Sequence, residues 1–208
     1  MLKVGLTGGM GSGKTTVASI FEVLNIPVYY ADDAAKRLMD EDEDIKVAIE
    51  KNFSKAAYKD GTLDRKYVSD LVFNDPEKLA LLNSIVHPAT IKDADQWMKN
   101  QASPYIIKEA ALLFESGSNK KLDYVIGVKA PLDLRISRTL KRNNISREEI
   151  LARMNKQMDE DAKLALCDFI IINDEQQFII PQVLQLHETL LKLSEQVYYS
   201  PPGDKGLR

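Results

Sequence analysis

Eight residues near the start of the chain, Gly8-Gly9-Met10-Gly11-Ser12-Gly13-Lys14-Thr15, constrain it more than any other stretch. They fit the pattern G-x-x-x-x-G-K-[ST], which has meaning only where a strand runs into a glycine-rich turn and out into a helix. The flanks meet that condition. Val4-Gly5-Leu6 reads as a short buried strand, and the amphipathic stretch from Thr16 to Leu24 reads as a helix. Glycines at 8, 9, 11 and 13 let the backbone take positive φ and come close to a ligand. The amides from Gly8 through Ser12 and Gly13, with the helix N-terminus behind them, then face a phosphate. Lys14 can reach the terminal phosphates, the Thr15 hydroxyl can hold Mg²⁺, and Thr16 completes the nucleotide-binding stretch. The motif implies nucleotide phosphate binding and leaves open what becomes of the phosphate.

The rest of the chain alternates strands with helices. Val28-Tyr29-Tyr30 is the second strand, followed by Ala31-Asp32-Asp33 and a helix from Ala34 to Met39, with Asp33 expected at its N-cap. The acidic run Asp40 to Asp44 reads as a solvated loop or helix start. Residues 45 to about 101 carry little strand signal. A helix is expected from Ile45 to Phe53, a turn at Asp60-Gly61, and a helix from Arg65 to Phe73 capped by Asp64. Asp75-Pro76 opens a helix that His87-Pro88 is expected to break at Val86, with another from Ala89 to Asn100. Tyr105-Ile106-Ile107 is the third strand, ending at Lys108-Glu109, with Ser116 to Asn119 a loop. Tyr124 to Val128 is the fourth strand. Pro131 opens a helix to Lys141 or Arg142, and Asn143-Asn144 ends it. Ser146 and Glu149 form a capping box for a helix from Arg147 to about Met158. Phe169 to Ile172 is the fifth strand, and a last helix runs from about Gln176 to Val197. Five short strands alternating with helices predict an α/β fold, a parallel sheet with helices on both faces. The strands' carboxyl ends then gather the phosphate loop, Asp32, Glu109 and Asn173.

Composition narrows the function class. The 208 residues suffice for one sizeable core or a core with a small insert, and the formal charge of −3 is mixed in sign, unlike the basic footprint of a nucleic-acid binder. One cysteine, Cys167, excludes an intrachain disulfide framework and reads as buried filler. The chain enters a strand at once, with no signal peptide and no apolar run of membrane-spanning length, so a soluble cytoplasmic protein is expected. The stretch from Ser200 to Arg208, with two prolines and two glycines, is expected to be disordered.

Several side chains can carry chemistry. Asp32 follows a strand near the phosphate loop and can accept the proton of an attacking hydroxyl, or it can share helix capping with Asp33. Glu109 ends the third strand and reads either as an organiser of Mg²⁺ or as a surface glutamate. Arg135, Arg138 and Arg142 fall on one helix face, and Arg153 and Gln157 lie four apart on the next helix. Two helices joined by a short polar turn, both bearing arginine, suit a lid that closes on a transferring phosphoryl group; they also suit two solvated helices. His87 reads first as a capping or packing residue, and His187 has no assigned role. Two distant histidines and one cysteine make a zinc site unsuitable.

From about residue 2 to 195 the chain resembles the dephospho-CoA kinase family. The resemblance rests on Leu6 through Thr15, Ala31-Asp32, Leu63-Asp64-Arg65, Val72-Phe73 and Ile85-Val86-His87-Pro88. It continues in Leu112-Leu113-Phe114-Glu115, the arginines 138, 142 and 153 with Gln157, and Asp168-Phe169 with Asn173. Tyr30 stands where the family usually has its first aspartate, and Glu109-Ala110-Ala111 where an aspartate and a proline are usual. The resemblance implies a P-loop kinase-type fold in a single domain of residues 1–199. Its parts would be a core (1–44 and 102–199), a helical CoA-covering insertion (about 45–101) and a lid (about 135–158). It implies ATP and Mg²⁺, and transfer to the ribose 3′-hydroxyl of dephospho-CoA, without a nucleic-acid, membrane or obligate protein partner.

The resemblance also implies residue roles. Asp32, Lys14, Arg138 and Arg142 would be catalytic. The phosphate loop with Thr16, Arg153 and Asn173 would hold ATP. Asp32, Arg65, His87 and Leu113 would meet the acceptor, and Thr15 with Glu109 the metal. A kinase for another small hydroxyl or nucleoside monophosphate, or a nucleotide-dependent switch, are the rival readings. Against a GTPase switch, the position after the fourth strand reads Val128-Lys129-Ala130-Pro131, with no guanine-reading Asn-Lys-x-Asp.

Overall fold

A computed structural model describes residues 1–73, 75–142 and 145–199; the expected helix end at Asn143-Asn144 and the expected disorder of 200–208 lie outside these. The chain falls into two compact units, Met1–Tyr29 with the chain from Gln101 on, and Tyr30–Asn100.

β1 (Leu2–Thr7) runs into the glycine loop, and α1 (Lys14–Val23) follows with Gly13 at its N-cap in the left-handed region. α1 stops at a Schellman end. Asn25 takes φ 60°, its N–H donates to the Glu22 carbonyl, and Ile26 N–H donates to Phe21. β2 (Val28–Tyr30) passes directly into α2 (Ala31–Glu41). With no residue between strand and helix, the cap is Tyr30, not Asp33; Asp32 and Asp33 are first-turn residues, and Asp33 pairs with Lys36 at 2.7 Å. Asp42 then caps α3 (Glu43–Asn52), accepting from Asp44 and Ile45 amides. Most of the acidic run is therefore helical.

A two-stranded hairpin comes next, β3 (Tyr58–Lys59) and β4 (Thr62–Leu63), built around the turn expected at Asp60-Gly61. Asp60 and Gly61 both have positive φ, the type I′ geometry that Asp-Gly favours. α4 (Arg65–Phe73) begins at Asp64, whose side chain accepts from Tyr67 N–H at 3.0 Å. α5 (Pro76–Lys99) is one helix of 24 residues with Pro88 inside it. The expected break at His87-Pro88 does not occur. Val86, Thr90, Ala94 and Met98 form a buried stripe at four-residue spacing straight past the proline. Burying Val86 and Met98 alone contributes roughly 3–6 kcal/mol, enough to offset the roughly 3 kcal/mol an interior proline costs. The core of this unit joins Leu38, Ile45, Ile49, Ala57, Leu63 and Val68, with Leu82 and Ile85 of α5 packed on it.

The remaining elements are β5 (Tyr105–Glu109), β6 (Tyr124–Lys129), α6 (Leu132–Arg142), α7 (Arg147–Met154), α8 (Glu160–Ala165), β7 (Phe169–Ile172) and α9 (Ile179–Tyr199). A short 3₁₀ turn, Ser118–Lys121, takes up part of the expected loop. α7 carries the predicted capping box but stops four residues early. A new cap, Asp159, starts α8, which was not foreseen. The five longer strands form one sheet in the order β2-β5-β1-β6-β7. β1 pairs in parallel with β5 and β6, and β6 with β7. Strand interiors are buried almost without interruption, as a parallel sheet covered on both faces requires.

Small polar contacts lock this unit. Asp168 accepts from Val125 N–H while its own N–H donates to Val125 O, at 2.8 and 2.9 Å. His187 answers the buried Tyr105 hydroxyl across 2.6 Å. Cys167 donates to the Lys163 carbonyl, and burial pushes its thiol up to about 11, which makes it an inert packing residue. Among the described residues no helix is long and apolar enough to cross a membrane.

Candidate nucleotide-phosphate site

The loop between β1 and α1 is held open by its glycines. Gly11 and Gly13 take φ 78° and 97°, conformations that a side chain would strain. Space matters as much: a Cβ on Gly8 would lie 2.5 Å from the Val128 carbonyl oxygen, and one on Gly13 would run into the Asn173 amide. Lys14 folds back over the loop and donates to the carbonyls of Gly8 and Gly9 at 3.2 and 3.4 Å. Thr15 and Thr16 are exposed. The hydroxyls of Thr7 and Ser12 are buried at the loop and have no hydrogen-bond partner among the described residues. Buried polar groups normally find partners, so this loop is built for a polar ligand.

The loop's floor comes from α6, β7 and the turn that follows α7. Asn173, at the carboxyl end of β7, donates to Ser12 O at 2.7 Å. Its own oxygens accept from Arg138, which also reaches Glu175 at 3.1 Å. Gln157 accepts from Met10 N–H at 3.3 Å, and Arg135 donates through Nε to Met10 O at 3.1 Å. Of the three arginines expected on one face, only Arg142 is exposed, with Arg138 partly covered and Arg135 buried beneath the loop. Arg153 is half-buried on α7.

Beside the loop, the β1–β5 register sets Glu109 against Leu6, two residues before Gly8. Glu109 and Lys108 are both buried, so the surface reading of Glu109 is set aside. The sequence reading missed Lys163. It is 1 % exposed and donates to Ala111 O at 3.0 Å and to Glu115 at 2.9 Å. Lysine spaced three from Glu160 looks like an ordinary solvated charge, so little in the sequence could have found it. Leu113 is fully buried and fills the space beside Gly5. As placed, it has no surface for an acceptor.

Glu115 gives a pH-dependent handle. Burial would raise its carboxyl, but the Lys163 ammonium and the Met158 N–H outweigh this and hold it below the usual value. A carboxyl depressed in the folded state adds stability above its unfolded pKa and loses it as pH falls through the folded one. The urea midpoint of the parent should therefore drop below about pH 4.3. Lys163→Met should flatten part of that drop and cost about 1–2 kcal/mol at pH 7, the scale of a hydrogen bond to a charged group discounted for the water that reaches Glu115. Equal midpoints for parent and variant at pH 7 would show that the pair does not hold this region.

The second unit carries Asp32, Arg65 and His87. Asp32 is exposed in the first turn of α2. Arg65 pairs with Asp40, which also accepts from Leu63 N–H at 3.1 Å. His87 is half-buried within α5, and burial lowers its pKa, so the imidazole is neutral at pH 7. Among the described residues there is no group of three or more His, Cys, Asp or Glu suited to a metal ion.

A glycine loop with its lysine, set between the central strand of a parallel sheet and a helix, defines a P-loop nucleotide-binding protein. A family model described as dephospho-CoA kinase matches residues 2–178. Dephospho-CoA kinase from Salinibacter ruber is 39% identical over 179 residues, covering 84% of this chain and 89% of its own length. That from Bacteroides fragilis is 33% identical over 199 residues, covering 95% and 96%. Among solved structures, dephospho-CoA kinase from Campylobacter jejuni aligns with a TM-score of 0.65 at 27% identity, covering 91% of this chain and 97% of its own. The chain belongs to the dephospho-CoA kinase family and is an ATP-dependent kinase.

Proposed function

We propose that this chain transfers the γ-phosphoryl group of ATP to the ribose 3′-hydroxyl of dephospho-CoA, giving CoA and ADP in the cytoplasm. Family membership supports the reaction, and the glycine cradle with its two orphaned hydroxyls is the observation that carries the phosphate end of it. The loop amides and Lys14 hold the β- and γ-phosphates. Arg138, Arg142 and Arg153 neutralise charge as it develops. Asp32 orients the hydroxyl and takes its proton, leaving ADP as the departing group. Arg65 and His87 bind the acceptor. Oxygen donors suit Mg²⁺, which usually binds through substrate phosphates and one or two protein groups rather than a full protein cage. The Thr15 hydroxyl and the Glu109 carboxylate would hold the ion, which would supply positive charge beside the phosphates.

A coupled ADP-release assay across acceptors tests the reading. Dephospho-CoA should stimulate ADP release far above the acceptor-free rate. Equal turnover without acceptor would indicate a switch, and preference for a nucleoside monophosphate, shikimate or gluconate a kinase of different specificity.

A further inference from the structure

We propose that Arg135 and Glu160 form a charge-locked brace that positions the phosphate loop for nucleotide, so that Arg135 acts through the loop rather than on the transferring group. Arg135 is 5 % exposed, and its guanidinium lies where a Cβ on Gly9 would have to sit. Its Nε holds the Met10 carbonyl at 3.1 Å while Gln157 holds the Met10 N–H at 3.3 Å. Met10 at the loop's tip is thus held through both its N–H and its carbonyl. The backbone of Arg135 takes part as well, since a Cβ on Gly11 would meet the Arg135 carbonyl, which Thr139 anchors at 2.8 Å.

Glu160 completes the brace. One of its oxygens pairs with Arg135, and the other is buried without a hydrogen-bond partner among the described residues. Its interaction is therefore directed at Arg135. A lone buried guanidinium would be costly. Paired with Glu160, it contributes almost no net charge to the cradle, and what remains is geometry. Amides that receive a phosphate must be held within about 0.5 Å of their bound positions. Losing the brace should therefore weaken nucleotide binding while sparing the acceptor.

The inference rests on the phosphotransfer reading only for its turnover arm, since ADP affinity can be measured without acceptor. Calorimetric titration with ADP should show Arg135→Gln weakened about tenfold or more, the scale of one charge-assisted hydrogen bond. Glu160→Gln, which keeps the loop contacts but unpairs the guanidinium, should weaken ADP severalfold. The double variant should recover part of the loss relative to the sum of the singles. KM for ATP should rise in parallel and KM for dephospho-CoA stay within about twofold. Ile136→Val, a buried neighbour in α6, supplies a comparison that loosens packing without touching the loop; its ADP affinity should match the parent's.

A folded Arg135→Gln or Glu160→Gln protein with parental ADP affinity would overturn the brace. So would an equal loss in Ile136→Val, or equal rises in both KM values. Should Arg135→Gln not fold, Glu160→Gln decides by the same criteria. If the parent ignores dephospho-CoA but ADP affinity falls as described, the brace stands and the acceptor reading fails.

Discussion

Asp32→Asn is expected to lower kcat by about 10²–10⁴, the usual worth of a general base, with little change in ATP affinity and an intact fold by circular dichroism. A ribose hydroxyl is a poor nucleophile, and a metaphosphate-like transfer needs it positioned as much as ionised. The carboxylate at the start of α2 can do both, accepting the hydroxyl hydrogen bond and then the proton. Asparagine keeps the shape and an acceptor oxygen but not the basicity. The fold should not suffer, because Asp32 is exposed and Tyr30, not an aspartate, occupies the cap. Asp33→Asn is the matched comparison. Asp33 is exposed and pairs with Lys36 three residues on, a contact worth about 0–1 kcal/mol. A crippled Asp33→Asn beside a near-normal Asp32→Asn would move the base by one residue. Full activity in both would move it elsewhere, beginning with Glu109.

Lys14→Ala is expected to cost about 10²–10³ in kcat, the loss typical of one preorganised electrostatic contact to developing charge. The ammonium lies over the loop, 3.2 Å from Gly8 O and 3.4 Å from Gly9 O, where it would meet the phosphates of a bound nucleotide. Its attraction grows as charge builds on the oxygens during transfer, and for this reason kcat should fall more than ATP affinity. A variant within a factor of about three of the parent would show that this loop does not handle the transferring phosphoryl group.

Local chemistry with a fixed spacing was legible in the sequence. The phosphate loop, the five parallel strands and the Asp64, Asp75 and Ser146 caps all depend on residues within a few positions of one another. What depended on distant packing was not. Pro88 reads as a break until the buried stripe from Val86 to Met98 is seen to pass it. Asp33 reads as a cap because nothing in the sequence says that β2 and α2 share a boundary without a connecting residue. α8 has a signal that could have been used, Asp159 as cap, but six residues of which five are charged or alanine show little periodicity.

The site divides the same way. Gly8 to Thr15 can be recognised by pattern, whereas Arg135 and Lys163 look like solvated charges on amphipathic helices. Their burial follows from partners 125 and 52 residues away, the Met10 and Ala111 carbonyls. The lid reading of Arg135 followed from its spacing with Arg138 and Arg142, and spacing alone does not tell which member of a helix face meets the loop.

Following the γ-phosphate itself tests the central claim most directly. With ATP labelled at the γ-position and dephospho-CoA in excess, the label should appear in the 3′-phosphate of CoA, mole for mole with ADP. Label recovered as inorganic phosphate, or in CoA at a position other than the 3′-oxygen, would contradict the account.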